Sequence, residues 1–166
     1  ANTYIRSGRM PEAIVGDGDS LLPDIKERYA SLIHSEAEQE TNDLSKAFRF
    51  CLSQERKRIT IMGATGKRED HTIGNVSLLA DYREQAEVSM MTDYGIFVPI
   101  REDSMFESYI GQQISVFNMN STALSAEGVA YPLSVFTNWW QGTLNEALAR
   151  HFIIRTEGKV LVFRVF

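Results

Sequence analysis

The chain has 166 residues, 43% hydrophobic and 23% charged, with a formal net charge of −5 from 17 basic and 22 acidic side chains. This composition suits a globular chain of one domain or two small ones, and it lacks the basic excess of a nucleic-acid binder. Cys51 is the single cysteine, which excludes an intramolecular disulfide and a cysteine-based zinc site. No apolar run reaches the roughly 18 residues of a helical membrane span, and no leader pattern is visible, so the expected compartment is the cytoplasm.

In chain order, Ala13-Ile14-Val15 reads as a short strand ending at Gly16. Pro23 to Leu32 reads as a helix, with proline in its first turn. Leu44, Ala47, Phe48, Cys51 and Leu52 recur at helical spacing behind the cap formers Thr41, Asn42 and Asp43. Ile59 to Met62 is a strand, Thr72 to Ala86 a helix and Val88 to Met91 another strand. Strand and helix in alternation predict a parallel sheet with flanking helices. From Gly95 the character changes. Short β-rich runs follow at 96–100, 105–110, 114–119, 122–126 and 135–136, and 152–156 and 160–166 read as a hairpin turned at Glu157-Gly158. Many short strands predict a sandwich or barrel. The expected organisation is an α/β domain over 1–93, Rossmann-like, followed by an all-β sandwich domain over 94–166.

Three loops carry chemistry. Gly16-Asp17-Gly18-Asp19-Ser20 follows the first strand, where ligands of open α/β sheets sit. Two carboxylates this close face one Mg²⁺ or form a solvated Asx turn. The acidic stretch Glu36 to Asp43 either compensates a helix dipole or lends Asp43 as a third carboxylate for the same cation. Gly63-Ala64-Thr65-Gly66-Lys67-Arg68-Glu69-Asp70-His71 joins a strand to a helix, a place suited to phosphate. It is not a Walker A loop, because position 61 is isoleucine. Gly16-Asp17-Gly18 is not a dinucleotide fingerprint, because position 21 is leucine. Arg68 is able to fork onto phosphate oxygens, or onto Asp70 as a surface ion pair. In the β half, Tyr131, Trp139 and Trp140 lie beside polar amides and either stack on a flat ring or fill the core.

In this order Gly16–Ser20, Gln39–Asp43, Gly63–His71, Gly128–Leu133 and Asn145-Glu146 resemble the signature loops of thiamine pyrophosphokinases. The resemblance spans residues 1 to about 150. It implies an α/β catalytic half, a thiamine-binding β-sandwich half, and a homodimer with the site between domains of different subunits. It implies Mg²⁺-dependent transfer of the diphosphoryl group of ATP to the thiamine hydroxyl, with AMP leaving. Asp17, Asp19 and Asp43 would hold the metal; Arg68 and Lys67 would offset phosphate charge; Asp70 would assist the metal or orient the hydroxyl. Asn42 and Ser20 would contact ATP, and Gln39, Tyr131 and Asn145 thiamine. Gly18 stands where the family has an aromatic residue, Lys67 where it has glycine and Leu144 where it has serine. Ala1-Asn2 resembles the tail of a further Asp-Gly loop, whose strand and acid are then expected to be missing. A pterin pyrophosphokinase and a non-catalytic nucleotide binder are the competing readings.

Overall fold

The computed structural model describes residues 1–166 apart from Ala37 and Gln39, and it divides into two compact units, Ala1–Arg56 and Lys57–Phe166.

The first unit contains helix α1 (Asn2–Arg6), strand β1 (Ile14–Gly16), helix α2 (Pro23–Arg28), strand β2 (Ile33–Ser35) and helix α3 (Asp43–Ser53). β1 and β2 pair in parallel, with Ile14 opposite Ile33. Ile14, Ile25 and Tyr29 form the buried centre, with Ile5, Leu21 and Leu32 packed around it. α3 lies against β1, and Phe48 supplies its most buried apolar side chain. Its start is fixed locally: the Asn42 side chain accepts from the Ser45 N–H at 2.9 Å. The helix expected over 23–32 ends at Arg28 and continues as a 3₁₀ turn over Ala30–Leu32. Cys51 is half-buried.

The second unit runs through β3 (Arg58–Met62), α4 (Glu69–Tyr82), β4 (Glu87–Met91), β5 (Gly95–Ile100), β6 (Ser104–Glu107), β7 (Gln113–Asn118), β8 (Leu124–Glu127), β9 (Asn145–Glu146), β10 (His151–Thr156) and β11 (Val160–Val165). β3 and β4 pair in parallel, as a strand–helix–strand crossover requires. β4 then turns through Thr92–Tyr94 into antiparallel β5, so one six-stranded sheet runs β3-β4-β5-β11-β7-β9. A second sheet, β6-β10-β8, faces it across a shared core of Ile114, Val116, Val160 and Val162 from the first sheet and Phe106, Phe152 and Ile154 from the second. The architecture is therefore mixed α/β leading into a β-sandwich. Gly95 is required by close approach, since a Cβ there would collide with the Arg164 carbonyl oxygen.

Two expectations for the β half change. β10 and β11 do not form a hairpin. They belong to different sheets, and the segment 157–159 turns a corner of the sandwich. Gly158, at φ +135°, packs on Ser121 so closely that a Cβ would meet its Cα at 2.7 Å, and the Thr156 and Lys159 N–H groups are held by Asp103 and Asn120. The pair 135–136 is not a strand, although Phe136 packs against the sandwich core.

Candidate active site

The first unit carries two acidic loops. After β1 the backbone turns at Gly16 (φ +144°) and Gly18 (φ +73°), and Asp17 Oδ1 accepts from the Asp19 N–H at 3.0 Å. This is the Asx turn, and it leaves the Asp19 carboxylate exposed. Asn2 holds the far side of the turn. Its side chain donates to the Ser20 carbonyl at 2.7 Å and accepts from the Leu22 N–H at 3.2 Å.

Asp43 opens α3 and reaches back to the first loop. A Cβ on Gly16 would lie 3.0 Å from its Oδ1, so only glycine leaves room for that carboxylate. Lys46 stands one turn further on, 2% exposed, with Nζ 3.8 Å from the same oxygen. Its sequence spacing gives no hint of burial, because it falls between the apolar positions of α3. Asn42 is committed as the helix cap. Gln39 lies outside the described residues. Among the described residues no three His, Cys, Asp or Glu side chains gather as a metal cluster. The structure thus brings Asp43 to the Gly16 turn that carries Asp17 and Asp19, without closing three carboxylates on one point.

The third loop belongs to the second unit. Gly63 (φ +69°) and Gly66 (φ +83°) shape it, and Asn75 on α4 ties it down by donating to the Ala64 carbonyl at 2.9 Å. A cavity of about 340 Å³ opens here, lined by Gly63, Thr65, Lys67, Arg68 and His71 among others. α4 begins three residues earlier than expected and ends at Tyr82. Arg68 takes the cap position with extended backbone, and Glu69 and Asp70 place two acids in the first turn, where the helix dipole favours them. Arg68 forks onto Asp70, Nε to Oδ1 at 3.1 Å and an Nη to Oδ2 at 2.6 Å. The guanidinium, with help from the His71 N–H, holds the Asp70 carboxyl below its ordinary value. The ion-pair reading of Arg68 and Asp70 is therefore realised, on an exposed surface that leaves both groups open to exchange partners.

In the sandwich, Asn145 is buried and serves Tyr131. Its Oδ1 accepts from the Tyr131 and Glu146 N–H groups, and its Nδ2 donates to the Tyr131 carbonyl at 2.8 Å. Three of its four hydrogen-bonding positions are taken. The Tyr131 ring is 64% exposed. Leu144, beside Asn145, is exposed at φ +63°, a backbone conformation that branched side chains rarely adopt. Trp139 meets Phe117 edge-on at 6.0 Å, whereas Trp140 is exposed. Among the described residues no helix is long and apolar enough to cross a membrane.

Residues 1–91 match the family model described as thiamin pyrophosphokinase, catalytic domain, and residues 95–163 match thiamin pyrophosphokinase, substrate-binding domain. The chain is 31% identical over 104 residues to thiamine pyrophosphokinase 1 of Oryza sativa subsp. japonica, covering 57% of this chain and 39% of that one. It is 35% identical over 81 residues to thiamine pyrophosphokinase of Bacillus subtilis, covering 46% and 38%. The match thus spans about two fifths of those relatives' length. The solved thiamine pyrophosphokinase of Bacillus subtilis superposes with a TM-score of 0.82 at 22% identity, over 98% of this chain and 82% of that one. The Candida albicans enzyme gives 0.80 at 18%, over 99% and 76%. These likenesses establish the fold.

Proposed function

The chain belongs to the thiamin pyrophosphokinase family, and from that membership we propose that it transfers the diphosphoryl group of ATP to the thiamine hydroxyl. The hydroxyl oxygen attacks the β-phosphorus and its proton passes to solvent, the bond from that phosphorus to the α-phosphate oxygen breaks, and AMP leaves. What supports this reading above all is that both family models match, in order, over 1–91 and 95–163. Residues 1–93 are proposed to handle the nucleotide and 94–166 the thiamine, in a homodimer whose sites combine domains of different subunits.

The donor set near Gly16 suits Mg²⁺. Asp17, Asp19 and Asp43 offer only carboxylate oxygens, and the glycine leaves a cradle beside Asp43. A hard cation that keeps several waters needs no more than one or two of them. When bound, Mg²⁺ neutralises part of the triphosphate charge. Lys46 balances the Asp43 carboxylate, which would otherwise repel the nucleotide. Ser20 and Asn42 flank these acids and are proposed to contact ATP. Arg68 exchanges Asp70 for phosphate oxygens, with Lys67 as a second cation, and Asp70, ionised, orients the attacking hydroxyl. Little covalent work falls to the protein in such a transfer. Positioning and charge neutralisation carry it. Tyr131 offers an exposed ring to thiamine, Asn145 sets the backbone that presents it, and Gln39 is proposed as a further thiamine contact.

The deciding assay is AMP release by the purified chain with thiamine and Mg²⁺ each present and omitted. Release that needs both supports the reading. Release with a pterin alcohol but not thiamine replaces the substrate, and nucleotide binding without any release makes the chain a non-catalytic binder. A second expectation concerns Tyr131→Ala. One base–aromatic stack is worth about 1–3 kcal/mol, so thiamine affinity should fall about tenfold or more while ATP affinity holds. Equal losses for both ligands in calorimetry would remove Tyr131 from the thiamine site.

A further inference from the structure

We propose that Arg49 is a positioning residue that holds Glu36, Glu38 and Thr41 ahead of α3 and so sets Asp43 against Gly16. The proposal rests on the reading of Asp43 as a carboxylate of the nucleotide site. Arg49 stands on α3 nearly two turns beyond Asn42, and its guanidinium faces back to the loop. One Nη donates to Glu36 at 2.9 Å and to Glu38 at 3.1 Å, and the other donates to the Thr41 hydroxyl at 3.1 Å. Glu38 in turn accepts from both the Thr41 N–H at 2.7 Å and its hydroxyl at 2.6 Å. Thr41 directly precedes the Asn42 cap.

The other end of the loop is tied to the first acidic turn, since the Glu36 N–H donates to the Gly16 carbonyl at 3.3 Å. The guanidinium therefore closes a frame with Gly16 at one corner and the start of α3 at the other. The Asp43 carboxylate, at the first residue of α3, lies against the space that Gly16 leaves open. The network directs the charge of both glutamates onto Arg49. A half-exposed ion pair contributes little to global stability. Its consequence here is geometric, because an ångström of displacement at a carboxylate that meets a cation is costly.

The test compares the wild-type chain with Arg49→Met, Arg49→Lys and the triple variant Arg49→Met/Glu36→Gln/Glu38→Gln. MgATP binding is read by calorimetry and folding by thermal melting. Arg49→Met is expected to weaken MgATP about tenfold with a melting point within a few degrees of wild type. Arg49→Lys is expected to recover part of the affinity, and the triple variant none. Wild-type affinity in Arg49→Met overturns the proposal. So does full recovery in the triple variant, which would reduce Arg49 to charge cancellation. A collapse of the melting point would make it a stability residue instead, again overturning the proposal. MgATP binding by the wild type without thiamine-dependent AMP release defeats the proposed function but leaves this comparison intact. A wild type that binds no MgATP defeats both.

Discussion

Arg68→Met is expected to lower kcat/KM for AMP formation by about a thousandfold, the order seen when a preorganised cation or donor is withdrawn from developing charge. The fold should not notice. The side chain is 72% exposed, its ion-pair partner is Asp70, and it makes no side-chain cap on α4. Arg68→Lys should regain only part of the rate, because an ammonium is a point charge and does not fork across two oxygens. A pH signature accompanies the loss. Asp70 is depressed chiefly by Arg68, so its ionised form survives to lower pH in the wild type than an ordinary carboxyl would. A depressed carboxyl contributes above its ordinary value and is lost as the pH falls. Without Arg68 the value rises, and the acid limb of the residual kcat/KM, which reports the free enzyme, should move to higher pH. A kcat/KM for Arg68→Met within tenfold of wild type would remove this arginine from the chemistry.

The parts of the chain legible in advance were those fixed within a few residues. The cap at Asn42 and the apolar spacing behind it gave α3 nearly to the residue, and short apolar, β-rich runs gave β3, β4, β5 and β7. The corner after β10 was not legible. Two apolar strands about a Glu-Gly turn carry the same local pattern whether they pair with each other or part into two sheets. The choice is made by Asn120, Ser121 and Asp103, which are distant in sequence. The start of α4 was misread for a related reason. Arg68 is not a cap former, and the helix begins there because acids fill its first turn and Thr72 donates back to the Arg68 carbonyl.

In the site, residue types announced themselves but their supports did not. Gly-Asp-Gly-Asp and the Arg68 to Asp70 run stand out by chemistry alone. Asn2, Lys46 and Arg49 do not, because what they hold lies elsewhere in the chain. Asn2 braces a turn about 20 residues on, which only the folded backbone discloses. Asn145 looked like a ligand amide, and its hydrogen bonds are largely spent on the Tyr131 backbone, 14 residues away. A polar side chain beside aromatics is thus ambiguous in sequence between touching a ligand and holding the residue that does.

The largest loss of stability is expected from Phe152→Ala, about 3–5 kcal/mol, a substantial share of the roughly 5–15 kcal/mol that holds a folded chain together. Phe152 is 1% exposed at the centre of the β6-β10-β8 sheet, directly opposite Phe106, with ring centroids 5.1 Å apart and planes 16° from parallel. Rigid strands flank it on both sides, so the vacated volume cannot collapse. The melting point should fall by roughly 6–20 °C, against a shift near zero for Trp140→Ala, whose ring is 72% exposed. The loss should also reach the proposed thiamine face. Gly128 packs on the Phe152 backbone, a Cβ there standing 3.3 Å from its Cα, and Val129 and Leu133 join the same core on either side of Tyr131. Well below its midpoint, Phe152→Ala should therefore weaken thiamine more than MgATP. A destabilisation under 1 kcal/mol in urea titrations would mean that the sandwich repacks around the vacancy, and the link from this core to Tyr131 would fall with it.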